Sequence, residues 1–254
     1  MELAGKKVVI TGASSGIGLE LTKRLLVEGC VIVAADIRNT NLVKDGLHLK
    51  TCDVSLQEDL DRLFEYAIEK MGRIDLFIAN AGFAYYEMIG EPDWGHIKRI
   101  FDTNVMSVIY SAEKMKQLHS KDPYNFLCTA SGMSFLALPG YALYSSTKGA
   151  IRSFSEAYRY ELAEGQSFQL VFPIATRTHF FSTAGDSPVP WPSQSAETVA
   201  KSIIRGLKKD KKNIHPSKIF HITNRLNGFL PFINKIYGGV EDKKFKTWLK
   251  VRKG

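Results

Sequence analysis

Short apolar runs alternate with longer amphipathic stretches along most of the chain. The first run, Lys6–Thr11, is rich in β-branched residues and predicts a strand, and Ile17–Glu28 has apolar residues at helical spacing. Further apolar runs predict strands at Val31–Ala35, Leu47–Asp53, Ile74–Ala79, Phe126–Ala130 and Phe168–Phe172. Helical stretches near 56–71, 95–118, 142–164 and 196–208 separate most of them. Continuously apolar strands joined by helices predict an α/β fold, with a doubly wound parallel sheet and helices on both faces.

Two connections depart from this alternation. Only sixteen residues lie between Asp36 and Asp53, and the turn formers Asn39–Asn41 and Asp45-Gly46 occur among them. We therefore expect the crossover helix after the second strand to be missing or reduced to a turn. The segment His179–Ser195 contains three prolines and a tryptophan, which predicts a loop that would serve as a mobile lid.

Composition and charge change this picture in one place. The 254 residues, 44% of them hydrophobic, suffice for a sizeable core in a single domain over residues 1–254. Residues 205–254 carry 14 Lys+Arg against 3 Asp+Glu, a net +11, whereas residues 1–204 carry −3. This basic C-terminal segment is interpreted either as a solvated surface of the same domain or as a peripheral contact with an anionic membrane or an acidic partner.

Several classes of protein are not favoured. No run approaches the eighteen or so apolar residues that span a bilayer, and the first residues lead into a strand rather than a signal peptide, which predicts a cytoplasmic location. Cys30, Cys52 and Cys128 are widely spaced in apolar runs, so we expect small core residues rather than disulfides or metal ligands. No metal site and no nucleic-acid partner are predicted.

A glycine-rich segment, Thr11–Gly18, joins the first strand to the first helix. Its three glycines permit a tight turn and a close approach to a pyrophosphate, which the first N–H groups of the helix would bind, although glycine also serves plain turns. Asp36 ends the second strand, where a carboxylate accepts hydrogen bonds from ribose hydroxyls and repels a 2′-phosphate. NAD(H) is therefore preferred, with NADP(H) possible because Arg38 offers a cation. A turn aspartate is the alternative for Asp36.

The candidate residues for catalysis are Ser131, Tyr144 and Lys148. Tyr144 and Lys148 stand one helical turn apart, so the ammonium can lie near the phenol and bring its pKa of about 10 toward neutrality. Ser131 follows a strand and would hydrogen-bond a substrate oxygen. An isolated Tyr-x-x-x-Lys is ordinarily a surface pair, but together with the glycine-rich turn this set indicates hydride transfer.

In order and spacing these motifs resemble the short-chain dehydrogenase/reductase family over nearly the whole chain. The resemblance rests on Thr11–Gly18, Asp53-Val54, Asn80-Ala81-Gly82, Asn104, Ser131, Tyr144-Ser-Ser-Thr-Lys148 and Pro173. It implies a Rossmann-like domain of the family's shorter type and NAD(P)-dependent interconversion of an alcohol and a ketone or aldehyde. It also implies a homodimer or homotetramer.

The resemblance further assigns site residues. The catalytic set would be Asn104, Ser131, Tyr144 as general acid/base, and Lys148, which would also hold the nicotinamide ribose. Asn104, in the helix Ile97–Lys116, would support a water chain from Lys148 to solvent. The alternative for Asn104 is a core-polar or helix-capping role, and the alternative for Asp53 is a role in a turn. The cofactor-binding residues would be Gly12, Ser14, Ser15, Gly16, Ile17, Gly18, Asp36, Asp53, Val54, Asn80, Ala81, Gly82, Tyr144, Lys148, Pro173, Thr176 and Thr178.

The substrate side departs from the family pattern. Ile174 follows Pro173 where the family usually has glycine, so a branched side chain lies beside the cofactor. The residues expected at the substrate are apolar or aromatic and favour a small hydrophobic alcohol or carbonyl compound. They are Phe83, Tyr85, Tyr86, Met133, Phe135, Leu136, Leu138, Tyr141, Phe180, Phe181 and Trp191. The alternative is a non-catalytic nucleotide-sensing protein or membrane-surface scaffold on the same fold.

Overall fold

Seven parallel strands form the main sheet in the part of the chain that the structure describes, residues 1–38, 42–227 and 232–253 of a computed structural model. A separate pair of short strands lies outside it. The strands are β1 (Lys7–Thr11), β2 (Val31–Asp36), β3 (Leu47–Thr51), β4 (Leu76–Ala79), β5 (Tyr124–Thr129), β6 (Gln166–Val171), β7 (Thr176–Arg177), β8 (Gln194–Ser195) and β9 (Asn213–Ile214). The order in the main sheet is β3-β2-β1-β4-β5-β6-β9, and β7 pairs with β8. The predicted doubly wound parallel sheet is confirmed.

Helices cover both faces of this sheet, as predicted. They are α1 (Gly16–Val27), α2 (Gln57–Met71), α3 (Trp94–Phe101), α4 (Ser107–His119), α5 (Ala142–Tyr158), α6 (Phe180–Thr183), α7 (Ala196–Lys208), α8 (Lys218–Asn227) and α9 (Phe232–Lys253). Helices α1 and α7 pack on one face, and α2, α4 and α5 on the other. The helix expected at 142–164 ends earlier, because a 3-10 turn at Arg159–Glu161 follows Tyr158.

The central strands show why the apolar runs are continuous. All four residues of β4 are buried, and they alternate between two cores. Leu76 and Ile78 face the core under α1 and α7, whereas Phe77 and Ala79 face the core under α2, α4 and α5. Phe77 stacks between two other rings, at centroid distances of 5.1 Å from Phe64 and 5.3 Å from Phe126. A strand covered on both faces has no position where a polar side chain meets water.

The connection between β2 and β3 contains no helix in its described residues, 37–38 and 42–46, as the turn formers predicted. The predicted turn at Asn39–Asn41 lies outside the described residues. The three cysteines are buried and free, and Cys30 donates its thiol to the Leu3 carbonyl at 3.2 Å. They are core residues, as expected.

The basic C-terminal segment is largely helical, as an ordinary terminal helix would be, and it also contains a short strand. It comprises the edge strand β9 and the helices α8 and α9. Helix α9 packs on the side of the substrate-facing loops, where Phe245 and Trp248 contact Tyr86 at ring distances of 5.2 Å and 4.7 Å. The expectation that this segment belongs to one domain with the sheet stays a prediction, and these contacts are its physical basis. No helix within the described ranges is long and apolar enough to cross a membrane.

Candidate active site

The strand order reverses between β1 and β4, and a cleft of about 870 Å³, here called the main cleft, opens at their carboxyl ends. Ligands of doubly wound sheets bind at such a switch point. The cleft brings together Ser131, Tyr144 and Lys148, as well as most of the residues predicted to bind a cofactor. These are Gly12, Ser14, Ser15, Gly16, Ile17, Asp36, Asp53, Val54, Asn80, Ala81, Gly82, Pro173, Thr176 and Thr178. Two predicted residues, Gly18 and Asn104, do not line the cleft and lie behind its wall.

The glycines of the turn after β1 are required by the backbone around them. Gly12 and Gly16 have φ of 66° and 53°, the left-handed region that side chains disfavour. A Cβ on Gly18 would lie 1.9 Å from the Gly12 carbonyl oxygen, and one on Gly12 would lie 2.8 Å from the Ala81 Cα. The turn therefore packs directly on the strand end beside it, with no room for a side chain.

Asn80 fixes this packing from the end of β4. Its Nδ2 donates to the carbonyl oxygens of Thr11, at 3.2 Å, and Gly12, at 3.1 Å. Its Oδ1 accepts a hydrogen bond from Thr129 Oγ1 at 3.1 Å. One amide thus ties together the ends of β1, β4 and β5.

The two predicted aspartates are both hydrogen-bonded at the rim of the main cleft. The Asp36 carboxylate accepts from the Ser14 N–H at 3.0 Å and the Arg38 N–H at 3.2 Å, so it ties the glycine-rich turn to β2. Its other lone pairs leave capacity for ribose hydroxyls. Asp53 Oδ1 accepts from the N–H of Ser55 at 2.9 Å and its Oγ at 2.7 Å, which is the turn geometry considered as its alternative role.

Tyr144 and Lys148 lie on the face of α5 that borders the main cleft, and both are buried. The Ser131 side chain is close enough to the Tyr144 phenol to favour its ionised form. Lys148 Nζ donates to the Thr129 carbonyl at 2.9 Å and lies 5.6 Å from the centre of the Tyr144 ring. Ser131 Oγ also accepts from the Met133 N–H at 3.1 Å, which fixes the hydroxyl beside the phenol.

The protonation of this set differs from the sequence-based expectation. Burial raises the pKa of Tyr144 to about 12, although the neighbouring Ser131 side chain acts in the opposite direction. Burial also lowers the pKa of Lys148. Loss of hydration disfavours the phenolate and is the largest cause of the Tyr144 shift, whose direction is opposite to the predicted lowering.

Asn104 lies in a π-helical turn, Asp102–Met106, that separates α3 from α4. The helical stretch predicted near 95–118 is present, and the π-helical turn is an irregularity within it of a kind that frequently occurs at functional sites. The Asn104 amide donates to the Phe83 carbonyl at 2.9 Å and to Thr147 Oγ1 at 3.1 Å, and accepts from the Phe83 N–H at 3.1 Å. The buried Asn104 amide thus acts as a clamp that holds the backbone of Phe83 next to Thr147. The water chain from Lys148 to solvent stays a prediction.

Gly82 shows how close the clamp is to the lysine. A Cβ on Gly82 would lie 3.0 Å from Asn104 Oδ1 and 3.6 Å from Lys148 Nζ. The absence of a side chain here keeps the space between the two groups open. Any larger residue would fill it.

Ile174 is accommodated after β6 without loss of the local hydrogen bonds. The Pro173 carbonyl accepts from the Gly132 N–H at 2.7 Å, and the Ile174 carbonyl accepts from Thr176 Oγ1 at 2.8 Å. Ile174 borders the main cleft and is partly exposed there. The Thr178 side chain reaches the glycine-rich turn, where a Cβ on Gly16 would lie 3.1 Å from it.

The residues predicted to border the substrate divide into three groups. Phe83, Met133, Phe180 and Phe181 line the main cleft. Tyr86, Leu138 and Tyr141 are buried beside it in a cluster with α9, and Tyr85 and Leu136 pack against the same cluster. The prediction was wrong for Phe135, which lines a different cleft, and Trp191 is 77% exposed.

Sequence reasoning missed what α9 contributes here. Tyr237, Phe245 and Trp248 pack against the cluster, and Glu241 is buried on the same side of the helix. Their spacing, with steps of four, four and three residues, is a helical stripe that could have revealed the contact. The excess of lysines around it favoured the interpretation of a solvated surface.

The segment predicted as a loop at 179–195 is tethered at several points. It contains the short helix α6, and the Ala184 carbonyl accepts from the Tyr86 N–H at 2.9 Å. Ser187 Oγ and the Tyr141 hydroxyl are 2.7 Å apart and hydrogen-bonded. At the far end β8 pairs with β7. Opening of this segment as a lid stays a prediction, and it would break these bonds.

Comparison with known proteins agrees with this fold and these motifs. A family model described as short chain dehydrogenase matches residues 6–187. A farnesol dehydrogenase of Aedes aegypti is 31% identical over 179 residues, covering 65% of this chain and 73% of that protein. A short-chain dehydrogenase/reductase from Burkholderia phymatum, solved in complex with NAD, has a TM-score of 0.78 and 21% identity, covering 90% of this chain and 94% of that one. A Burkholderia cenocepacia short-chain dehydrogenase, solved with NADP, has a TM-score of 0.79 and 20% identity over the same shares.

The fold and the matching family model place the chain in a class of oxidoreductases built on a doubly wound α/β sheet. Within this class the chain belongs to the short-chain dehydrogenase/reductase family. The resemblance stated from the motifs is confirmed.

Proposed function

We propose that the protein interconverts a hydrophobic alcohol and the corresponding ketone or aldehyde with a nicotinamide cofactor, NAD(H) in preference to NADP(H). The observation that carries the proposal is the grouping of Ser131, Tyr144 and Lys148 in the main cleft, with Lys148 on the same helix as Tyr144 and 5.6 Å from its ring centre. The two hydroxyls would bind one substrate oxygen. Tyr144 would then donate its proton to that oxygen during reduction and accept it during oxidation.

The pKa of the Tyr144 phenol indicates whether this residue acts more readily as an acid or as a base. A phenol with a pKa of about 12 holds its proton at neutral pH, so Tyr144 is prepared to act as an acid. Acting as a base requires additional positive charge near the phenol. Lys148 supplies part of it when protonated, which is why its position next to the ring matters.

The residues present fit a dinucleotide. The glycine-rich turn lies along the main cleft, and Ser15 makes no side-chain cap, so the first N–H groups of α1 are left for an anion. When bound, the nicotinamide supplies or accepts the hydride. Asp36 would accept the ribose hydroxyls and repel a 2′-phosphate, which favours NAD(H), whereas Arg38 is the group that would tolerate NADP(H). Solved family neighbours hold either NAD or NADP.

The substrate side of the main cleft supports an apolar substrate. Aromatic side chains border it, and the Tyr144 ring lies 5.4 Å from that of Phe180 in an edge-to-face contact. Ile174 adds a branched aliphatic group next to the proposed nicotinamide position. The farnesol dehydrogenase relative is named for a long apolar alcohol, which is the class of substrate that such a lining favours.

The decisive experiment is Tyr144→Phe, measured by NADH absorbance on a panel of hydrophobic ketones and secondary alcohols. Turnover should fall about 1,000-fold, the middle of the range for loss of a general acid, while NADH binding stays within about twofold. Tyr158→Phe is the matched control, because it removes a hydroxyl from the same helix that bonds the Ala112 carbonyl at 3.1 Å. The control should retain turnover.

Two outcomes separate the proposal from its alternative. Retained turnover in Tyr144→Phe would remove the assigned acid/base. A wild-type protein that binds NADH but turns over no member of the panel would favour the non-catalytic nucleotide-sensing protein.

A peripheral membrane contact is a second candidate role for the basic C-terminal segment. Helix α8 exposes Ile219, by 69%, and Leu226, by 45%, and these residues are two turns apart on one side. Apolar residues on one side of a basic helix are typical of binding to an anionic membrane surface. The cytoplasmic location and the homodimer or homotetramer implied by the resemblance stay predictions.

A further inference from the structure

A second cleft, of about 720 Å³, lies between the end of α5, the sheet edge at β6 and β9, and α8. We call it the basic cleft. None of the residues assigned to the catalytic set or the cofactor lines it, so it is separate from the main cleft. Its lining residues are Phe135, Arg152, Ser155, Glu156, Arg159, Leu170, Phe172, Lys211, Asn213, His215, Lys218, His221, Ile222, Asn224 and Arg225.

Two of its five cationic side chains are already engaged. Arg152 pairs with Glu156, the single carboxylate of the cleft, at 3.0 Å. Arg159 donates to the Phe168 and Lys212 carbonyls, each at 2.8 Å, and holds the sheet edge. Structural roles therefore account for these two arginines.

The remaining three cations, Lys211, Lys218 and Arg225, make no salt bridge with an acidic side chain in the part of the chain that the structure describes. Three such charges that converge on one cleft repel one another, and an anion between them would relieve the repulsion. The cleft thus has an excess of positive charge that the fold does not neutralise.

An aromatic row forms the floor of the basic cleft. The rings of Phe135 and Phe172 are 4.8 Å apart, Phe172 stacks on His215 at 5.1 Å, and His215 lies 4.1 Å from His221. His215 Nδ1 is buried and has no hydrogen-bond partner, although a buried imidazole nitrogen ordinarily has one. The floor is therefore aromatic, and the unpartnered His215 nitrogen lies beneath its surface.

The histidines also report the local charge. The pKa of His215 is lowered to about 4, mainly by burial and then by His221, Arg225 and Lys211. The pKa of His221 is lowered by burial and by the same two cations. Burial is the larger cause for both imidazoles, and Arg225 and Lys211 add positive charge that would also attract an anion.

We propose that the basic cleft binds a small phosphate-bearing molecule with a flat organic part. The phosphate would lie among Lys211, Lys218 and Arg225, because a dianion matches several cations better than a single carboxylate does and a guanidinium binds it in a bidentate manner. The organic part would lie on the aromatic row. A volume of about 720 Å³ suits a small molecule and excludes a folded partner.

Calorimetric titration of the full chain tests this proposal with three probes: inorganic phosphate, phenyl phosphate and phenol. Phenyl phosphate should bind about tenfold more tightly than inorganic phosphate, since it adds ring stacking, and phenol should not bind measurably. Arg225→Gln and Lys211→Gln should each weaken phenyl phosphate about tenfold, the usual loss for one charge-assisted hydrogen bond. Lys212→Gln, at an exposed neighbouring position outside the lining, is the matched control and should bind as wild type does.

Phosphate binding in the main cleft must be told apart from binding here. The imidazole NMR signals of His215 and His221 should move on titration, whereas that of His48, which does not line the basic cleft, should not. Unchanged signals for both cleft histidines would overturn the proposal, as would equal binding by Arg225→Gln and Lys212→Gln. Circular dichroism confirms that each variant is folded, and neither result depends on the enzymatic activity.

Discussion

The glycine-rich turn after β1 and the basic cleft are both proposed anion sites, but they are built by opposite means. The turn offers the first N–H groups of α1 and no cationic side chain, and it depends on side chains being absent. The basic cleft offers Lys211, Lys218 and Arg225, and it depends on long side chains being present. A site made of backbone fails as a whole when one atom is added, whereas a site made of side chains weakens one charge at a time.

The largest effect should come from adding one methyl group to the turn, in Gly18→Ala. A Cβ there would meet the Gly12 carbonyl oxygen at 1.9 Å, so the turn must move. We expect a loss of about 3 kcal/mol of folding free energy, a fall in melting temperature of roughly 6–12 °C, and loss of NADH binding. Thermal denaturation and calorimetric titration measure these changes.

Gly149→Ala is the control for this comparison, since Gly149 also lies within a helix and a Cβ there meets nothing within 4 Å. It should raise the free energy of unfolding by roughly 0.5–1 kcal/mol. If Gly18→Ala behaves like Gly149→Ala, the idea that the turn depends on absent side chains is wrong.

A smaller effect should come from Asp36, which adds charge selectivity to the backbone site. Asp36→Asn should keep the hydrogen bond from the Ser14 N–H while it removes the negative charge, so NADPH should gain about tenfold relative to NADH in kcat/KM. Asp36→Ala should change the preference similarly but also weaken both cofactors, because the bond to Ser14 is lost. A wild-type protein that already prefers NADPH would contradict the assignment.

The smallest effect is expected on the outer side of α8. The double variant Ile219→Ser and Leu226→Ser should lower sedimentation with anionic liposomes about three- to tenfold, because less apolar surface enters the membrane interface. Val27→Ser, at a residue 78% exposed on α1, is the control and should not change it. If the wild-type protein does not sediment with anionic liposomes, the membrane proposal is wrong. The proposal that the basic cleft binds a phosphate-bearing molecule does not depend on this result.

The sequence predicted the backbone site better than the side-chain site, for a physical reason. Glycine spacing and Asp36 after β2 are local signals, and the strand order brings them to one edge of the sheet. The basic cleft depends on α8 lying over β6 and β9, and β9 is a two-residue strand, Asn213–Ile214, with no apolar run to mark it. The sequence therefore showed its cations only as part of the net charge of residues 205–254, and not as neighbours in one cleft.

Burial was the other quantity that the sequence did not supply. The spacing of Tyr144 and Lys148 correctly put them on one helix face, but the sign of the phenol pKa shift depends on how much water the fold removes. The sequence also gave no sign of the π-helical turn at Asn104, because the polar and apolar positions around it still fit a helix.

That π-helical turn, Asp102–Met106, also sets a limit on the length of its segment. Each residue rotates an α-helix by about 100°, and the wider turn holds α3 and α4 at a fixed angular offset. Deleting one residue between the Asp93 cap of α3 and Ser107 would rotate one helix against the other by that angle. Either Asn104 would leave Phe83, or the buried side of α4 would leave the sheet. The chain can therefore change composition here far more readily than it can change length.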